Sequence, residues 1–562
     1  MVGSLAQRTL PVIVSRAMQS STVCKLFAHV TLCFLSGGLA VLHAQQVTFN
    51  VRDYGATGAR DQDAQTAIQK TIDACAHSGG GTVDFPAGDY TSGGIHLRSH
   101  VRVYLEPGAT IWASKDQHTY AETDPSHGGA LFYGEDLENV TLEGRGTVDG
   151  QAEYDWRLGD LKSPILSPNG RLWQAAGIAL MRTYPKQSYP RLVLLIRCKN
   201  VRIAGLSFFH GGSYNLVPFD CEHVVIDAVT IRDSITEGVW ADGIDPNGCK
   251  DLHISNCTIE TGDDAIVLWS NDIWGRAMPL ENVTITNCRL SSASSALKFC
   301  DGNQVAIRNV TVTNVVITNS NRGIAFMDFD GGLVSDVVIS NVTIDCNRKD
   351  WFWWGDGDPI HFNLKRESQV RGTSKDHEPP TGSIRNVILQ NIIARGPGTS
   401  LISGTSDSWL KSITLDNVKI FVTAQSSSPL ETTSDAMKIE WVQDLTLRNF
   451  QVIWDTPTSK KWTSALHLDH AKDVDFDNVQ VRQAPTSPES AAVVLEHADG
   501  IVIRNSRTET GTGTFLEARG PESRNVEFFA NDLRSAQAAF KTTGGASPSQ
   551  IKLFYTLVSK PR

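Results

Sequence analysis

No stretch of this 562-residue chain is Pro- or Ser-rich enough to be a linker, and no run of like charge marks a domain boundary. Nothing after residue 44 is apolar for the roughly 20 residues that a membrane-crossing helix needs, so the rest of the chain reads as soluble. Helical periodicity is scarce, with one convincing amphipathic segment. Ten cysteines are present, and none has the spacing of zinc ligands. Length alone suggests three or four domains. A repeat described below replaces that expectation with one elongated domain, because stacked repeats never need to close a globular core.

The first 44 residues carry Arg8, Arg16 and Lys25, no acidic residue, the apolar stretch LFAHVTLCFL (26–35) and then small residues. This pattern predicts a secretory signal with cleavage after Ala40 or Ala44 and an alternative start at Met18. The apolar core is short for a membrane anchor, and Cys33 lacks the small residue before it that a lipoprotein signal needs. Without the leader, 51 basic residues fall by three to 48, against 61 acidic ones, a net charge of −13. That balance argues against nucleic acid or an anionic membrane as partner. Eight cysteines remain, and export permits disulfides. Cys257 and Cys288 occupy one repeat position and read as stacked core residues instead.

A turn unit centred on Asn recurs nine times: ISNCTI (254–259), ITNCRL (285–290), VTNVVI (312–317), ISNVTI (339–344), LQNIIA (389–394), LDNVKI (415–420), LRNFQV (447–452), FDNVQV (476–481) and IRNSRT (503–508). The Asn-to-Asn steps are 31, 27, 27, 50, 26, 32, 29 and 27, and the 50 reads as two ordinary steps. Such a period signals a solenoid, and the period-2 alternation says its coils are made of strands. Asn tolerates left-handed backbone angles at a sharp corner, and stacked copies can form an amide ladder. N-x-T triplets at Asn139, Asn256, Asn282, Asn309 and Asn341 are by-products of this pattern. The predicted fold is all-β, a single-stranded right-handed parallel β-helix.

At the N-terminal end, DQDAQTAIQKTIDACA (61–76) is the predicted helix, with Ile68, Ile72 and Cys75 on one face. It would cap the first coil and cover a naked sheet edge. With FNVRDYGA (49–56), GGGTVDFPAGDY (79–90) and LEPGATI (105–111) around it, this start resembles the pectin-degrading β-helix superfamily, which includes hydrolases, lyases and phage tailspikes. Residues 45–562 then form one β-helix domain, with an irregular insertion at 345–382 and terminal coils and cap from about 510.

The segment WADGIDPNGCKDLHISNCTIETGDDAIVLWS (240–270) carries the chemistry. Asp242 and Asp263 are 21 residues apart, about one coil, and equivalent positions in adjacent coils lie roughly 5 Å apart. With Ile266 and Leu268 inward, Asp242, Asp263 and Asp264 converge on one outer face. Clustered carboxylates repel, so at least one should hold a proton near neutrality. Glycoside hydrolysis needs that pairing of an acid for the leaving oxygen with a base for water, and inversion needs a gap wide enough for the water.

The segment resembles glycoside hydrolase family 28, the polygalacturonases and rhamnogalacturonan hydrolases, over roughly residues 47–345. Gly262-Asp263-Asp264 matches that family's second motif, and Asp242 matches the aspartate of its first, although Trp240-Ala241 replaces Asn-Thr. The resemblance implies an inverting, metal-free hydrolase with Asp263 as general acid and Asp242 and Asp264 activating water. Two departures stand out. Ser294-Ser295-Ala296 occupies the place of Gly-His-Gly, and Ala325-Phe326-Met327 that of Arg-Ile-Lys, so the cations that clasp a uronate are absent. Lys298 should point outward in Ala325's column, with Arg322 beside it. These two are the expected substitutes, and Ser295 is a further substrate contact.

Other readings are blander. Asp245 belongs to Asp-Pro-Asn-Gly (245–248), strong turn chemistry. Trp269 and Trp274 are candidate sugar platforms, and His210 with Tyr214 could border the site. Trp351-Phe352-Trp353-Trp354 is equally a platform or a pin holding its loop, and His361, Lys365 and Arg366 could reach the cleft. The expected function is a secreted, monomeric glycosidase acting on α-linked pectic or other plant-wall polysaccharide without a cofactor. Its rivals are a calcium-dependent polysaccharide lyase and a non-catalytic carbohydrate-binding solenoid.

Overall fold

The computed structural model describes residues 47–559 apart from 124–128, 159–180, 300–301, 350, 352–354, 367–379, 425–432 and 457. The predicted leader therefore lies outside the described residues. Three ladders of parallel strands wind around one core. In the first, Ile226, Ile254, Ile285, Val312, Ile339, Leu389 and Leu415 stand in register on successive coils. In the second, Ile231, Ile259, Leu290, Ile317 and Ile344 do the same. In the third, Leu268, Phe299, Phe326, Phe362 and Ile402 line up. Each such side chain contributes about 1.5–3 kcal/mol by leaving water. The rings of Phe299, Phe326 and Phe362 stack at 4.0 Å centroid spacing. The apolar/polar alternation of the sequence is thus an inside/outside alternation, which fades in the last strands, where Leu557 and Val558 are both exposed although still paired in the ladder.

All nine repeat asparagines adopt left-handed backbone angles, φ from 51° at Asn449 to 57° at Asn256. Their amides form the expected ladder: Asn287 donates to Asn256, Asn391 to Asn341, Asn417 to Asn391 and Asn478 to Asn449. Thr313 and Asp416 interrupt it as acceptors for Asn341 and Asn449. Asn139, Asn282 and Asn309 turn a second corner in the same conformation. One reading is corrected here. The 50-residue step is a single coil, since Val342 pairs directly with Ile392. The extra residues are inserted within that coil, on either side of its third-ladder strand Asp358–Leu364.

Helix α1 runs from Gln65 to His77 and buries Ile68, Ile72 and Cys75 against the first coil. It starts later than the pattern suggested because Asp63 pairs with Thr91 as an isolated bridge, while its carboxylate accepts the Gln65 N–H at 2.9 Å. Cys257 and Cys288 are neighbours in the stack, as expected from the Thr258–Arg289 register. Cys198, Cys221 and Cys249 form a second such column that the sequence reading missed. The seven described cysteines are all free thiols and all buried. An antiparallel pair, Tyr154–Leu158 with Met181–Pro185, departs from the parallel pattern.

Candidate active site

The acids lie where the second ladder hands over to the third. The bridges Ile244–Ile266 and Ile266–Leu297 put Asp242, Asp264 and Ser295 on successive coils, two residues before each inward side chain. Asp263, one position earlier than Asp264, turns back toward the same point. One carboxylate oxygen from each of Asp242, Asp263 and Asp264 falls within 4.8 Å of the others. Backbone donors hold them: Asp264 N–H to Asp242 Oδ1 at 2.8 Å, Trp240 N–H to Asp263 Oδ2 at 3.1 Å, and Ser295 N–H to Asp264 Oδ1 at 2.9 Å. Register brings Asp242 and Asp264 together, and the turn back at Asp263, held by the Trp240 N–H, adds the third.

The acids are more enclosed than an open groove implies, with exposures of 4%, 5% and 3% for Asp242, Asp263 and Asp264. The segment 234–240 lies directly over Gly262, beside Asp263. A Cβ on Gly262 would meet Glu237 O at 2.0 Å and Gly238 O at 2.6 Å, so glycine here permits a backbone approach that no side chain allows. From the insertion, the Trp351 indole N–H donates to Ile235 O at 3.2 Å and packs edge-on against Trp156. Trp351 is therefore a pin on this cover. Phe352, Trp353 and Trp354 lie outside the described residues.

Burial pushes Asp263 up to about 7, with Asp264 adding to the rise and Lys298 opposing it. Burial also pushes Asp242 well above the ordinary carboxylate range, helped by Asp263 and Asp245. The cluster accordingly keeps a proton into the neutral range, which is what a general acid requires. Its negative charge is met by Lys298, whose ammonium lies 3.0 Å from Asp264 Oδ2 with both groups buried.

Lys298 pairs in register with Ala325 as expected, and Arg322 pairs with Ser295 on the adjacent coil. Each, however, already has a carboxylate. Arg322 Nε lies 3.3 Å from Asp358 Oδ2, and His361 Nδ1 lies 2.6 Å from the same oxygen. Ser295 is buried, its N–H on Asp264 and its hydroxyl without a hydrogen-bond partner. The turn reading of Asp245 is corrected. Residues 244–247 bridge to the neighbouring coils, and Asp245 is buried with its Oδ1 accepting the Trp269 indole N–H at 3.3 Å. Register with Leu216 and Ile266 overrode the local Pro-Asn-Gly preference.

Trp269 and Trp274 do share a wall: with Tyr214, Asp245, Asn271 and Ile273 they line a small pocket beside the acids. His210 stands apart, exposed, its Nδ1 2.9 Å from Asp149 Oδ2. Lys365 lies over Phe329, and Arg366 pairs with Asp407 and Thr381. Two groups escaped sequence reasoning. Arg191, buried, sits 4.8 Å from the Trp274 ring centroid and 5.7 Å from that of Tyr214. Asp233, held up to about 7 by burial, accepts from Asn215 Nδ2 at 2.6 Å, and that amide also donates to Asp242 O. Neither lies in a motif. Only the coil count, 23 residues from Arg191 to Tyr214 and nine from Asp233 to Asp242, could have pointed to them.

Comparison with known proteins agrees with this architecture. The family model Glycosyl hydrolases family 28 matches residues 75–345. A probable polygalacturonase of Vitis vinifera is 27% identical over 252 residues, covering 42% of this chain and 46% of that protein. An exopolygalacturonase of Platanus acerifolia is 29% identical over 246 residues, covering 43% and 56%. The chain thus spans about half the length of the curated relatives it matches. Among solved structures, a family 28 exopolygalacturonase of Yersinia enterocolitica superposes with a TM-score of 0.58 at 17% identity, covering 77% of this chain and 78% of that one. The Thermotoga maritima exopolygalacturonase gives 0.53 at 21% identity, covering 72% and 92%. At those identities the structures speak for the fold, a right-handed parallel β-helix. The family match and the relatives both support assigning residues 75–345 to glycosyl hydrolases family 28.

Proposed function

We propose that this protein is an exported glycosidase that hydrolyses α-linked pectic polysaccharide, in the manner that its polygalacturonase relatives are named for. The observation that carries the reading is the buried Asp242/Asp263/Asp264 cluster with an ammonium at one end. Asp263 donates its proton to the glycosidic oxygen, and Asp242 and Asp264 hold and activate water for a single displacement. Arg191 adds a cation beside the aromatic wall of the pocket, while Lys298 and Arg322 offset the charge of Asp264 and Asp358. The basic, acid-free leader supports export.

The calcium-lyase reading is weaker, because Lys298 already fills the cation's place beside Asp264. The test is a screen of plant-wall oligosaccharides with wild type and Asp263→Asn, reading new reducing ends and product anomer by NMR. Release that Asp263→Asn abolishes, with inverted anomer, supports the proposal. Retained anomer replaces the single displacement with a covalent intermediate. Absence of release from every glycan, or unsaturated products, defeats the hydrolase reading.

A further inference from the structure

One column of side chains in the first ladder changes character along the stack. Glu138, Lys199, Glu222, Lys250, Glu281 and Arg308 follow one another in register with alternating sign. Each charge there has an opposite neighbour about 4.8 Å away, and Arg308 lies 2.7 Å from Glu281. Beyond Arg308 the same column reads Ser335, Arg385, Lys411, Gln443 and Lys472. An acid returns to it only at Asp499, which Arg524 already holds at 2.9 Å. Arg385 and Lys411 are therefore direct neighbours of like charge, an arrangement that destabilises a sheet. Arg385, Lys411 and Lys472 are all exposed.

Aromatic rings run beside these cations, two residues earlier on each coil. Register pairs Leu410 with Val442 and Val442 with Ala471, so Trp409, Trp441 and His470 stand on successive coils. Trp409 meets Trp441 edge to face at 5.6 Å, and Trp441 stacks on His470 at 3.7 Å. The Lys472 ammonium lies over the half-buried Trp409 ring, 4.8 Å from its centroid. Trp409 and the three cations line one cavity of about 340 Å³, within the roughly 300–1,000 Å³ of ordinary ligand sites. Ser383, Ser408 and Gln443 add polar groups. The lining has one carboxylate, Asp407, and Arg366 with the Thr381 hydroxyl already engages it. An indole face offers apolar surface to a sugar ring, and cations one strand apart pair with carboxylates. The net charge of −10 over the whole chain works against a nucleic acid.

We propose that Arg385, Trp409, Lys411 and Lys472 form a second carbohydrate site, which takes a carboxylate-bearing oligosaccharide. It shares no residue with the acid cluster and begins four coils further along the stack, counted from Ile254 to Leu389. Its role is to hold a polymer while another stretch of that polymer reaches the acids. The choice of a pectic ligand rests on the proposed function; the run of cations beside Trp409 does not.

The experiment uses the full chain carrying Asp263→Asn, so that ligand is not cut, titrated by calorimetry with hexagalacturonate, a neutral galactose hexamer and a single-stranded oligonucleotide. Lys411→Gln with Lys472→Gln, and Trp409→Ala, are each added to that background. These side chains lie at the surface, so melting temperature should stay near that of the parent. A hexagalacturonate binding step that either patch variant weakens about tenfold or more, that added salt weakens, and that the neutral hexamer lacks supports the site. Hexagalacturonate binding that is absent, or the same with and without the patch side chains, overturns it. Equal binding of the neutral hexamer, or tighter binding of the oligonucleotide at the same residues, overturns it too. Patch-dependent binding by a chain whose wild type cuts no glycan would keep this site and remove the proposed function. Hydrolysis by wild type with unchanged binding in the patch variants would do the reverse.

Discussion

Lys298 illustrates how a single side chain can matter in two ways. Its ammonium and the Asp264 carboxylate are both buried, 3.0 Å apart, so removing one partner strands a charge. Lys298→Met should cost about 3–5 kcal/mol of stability, and adding Asp264→Asn should restore much of it; a denaturant titration of both variants checks this. Protonation gives a second prediction. Asp233 and Asp263 are each held up to about 7, against 3.8 when solvated. Between those values the folded chain binds more protons than the unfolded one. Their contribution is complete below the ordinary carboxylate range and is lost as pH rises through about 7. Melting temperature should therefore fall less steeply over that range in Asp233→Asn than in wild type. On the proposed function, kcat/KM should decline above about pH 7 as Asp263 loses its proton; a rate that keeps rising there contradicts its role as acid. The three acids were legible because Gly-Asp-Asp and a one-coil step are local signals. Asp233, Arg191 and the partners of Lys298 and Arg322 were not, because their meaning depends on which coil lies next to which.

Among the elements, the segment 234–240 lies beside Asp263. Gly262 is its seat, and a methyl group there would meet Glu237 O at 2.0 Å. Gly262→Ala should lift the segment, weaken the Trp240 N–H contact to Asp263, and lower kcat by about tenfold to a hundredfold, since small misplacements are costly in catalysis. Circular dichroism and melting should stay near wild type, because the strands on either side pack through other residues; a variant with unchanged kcat would show that the segment does not position the acid. Corners were the most legible elements. Asn tolerates a left-handed turn better than most residues, so its recurrence at a fixed period marked nine corners from sequence. The Asp245 turn misled for the converse reason: Pro-Asn-Gly favours a turn locally, but the bridges to Leu216 and Ile266 hold that stretch in the ladder.

Over the whole molecule, each coil contacts chiefly its two neighbours, so stability is close to a sum of coil and interface contributions. The Phe299–Phe326–Phe362 stack is one such interface. Phe326→Ala should cost about 3–5 kcal/mol, with the rise in hydrogen exchange concentrated in the coils flanking residue 326. Protection lost evenly along the chain would mean that the solenoid melts as one globule. The amino-acid order by itself determined the solenoid, its corners, its inward columns and the coil that bears the acids, because period, alternation and Asn conformational preference act over a few residues. Only the tertiary structure decided that a 50-residue step is one coil, that the acids are enclosed, that their counter-charge is Lys298, and that three cations gather beside Trp409 on later coils. Those outcomes come from residues brought together by stacking, and the side chain facing a given position one coil away is set by register, which no local preference encodes.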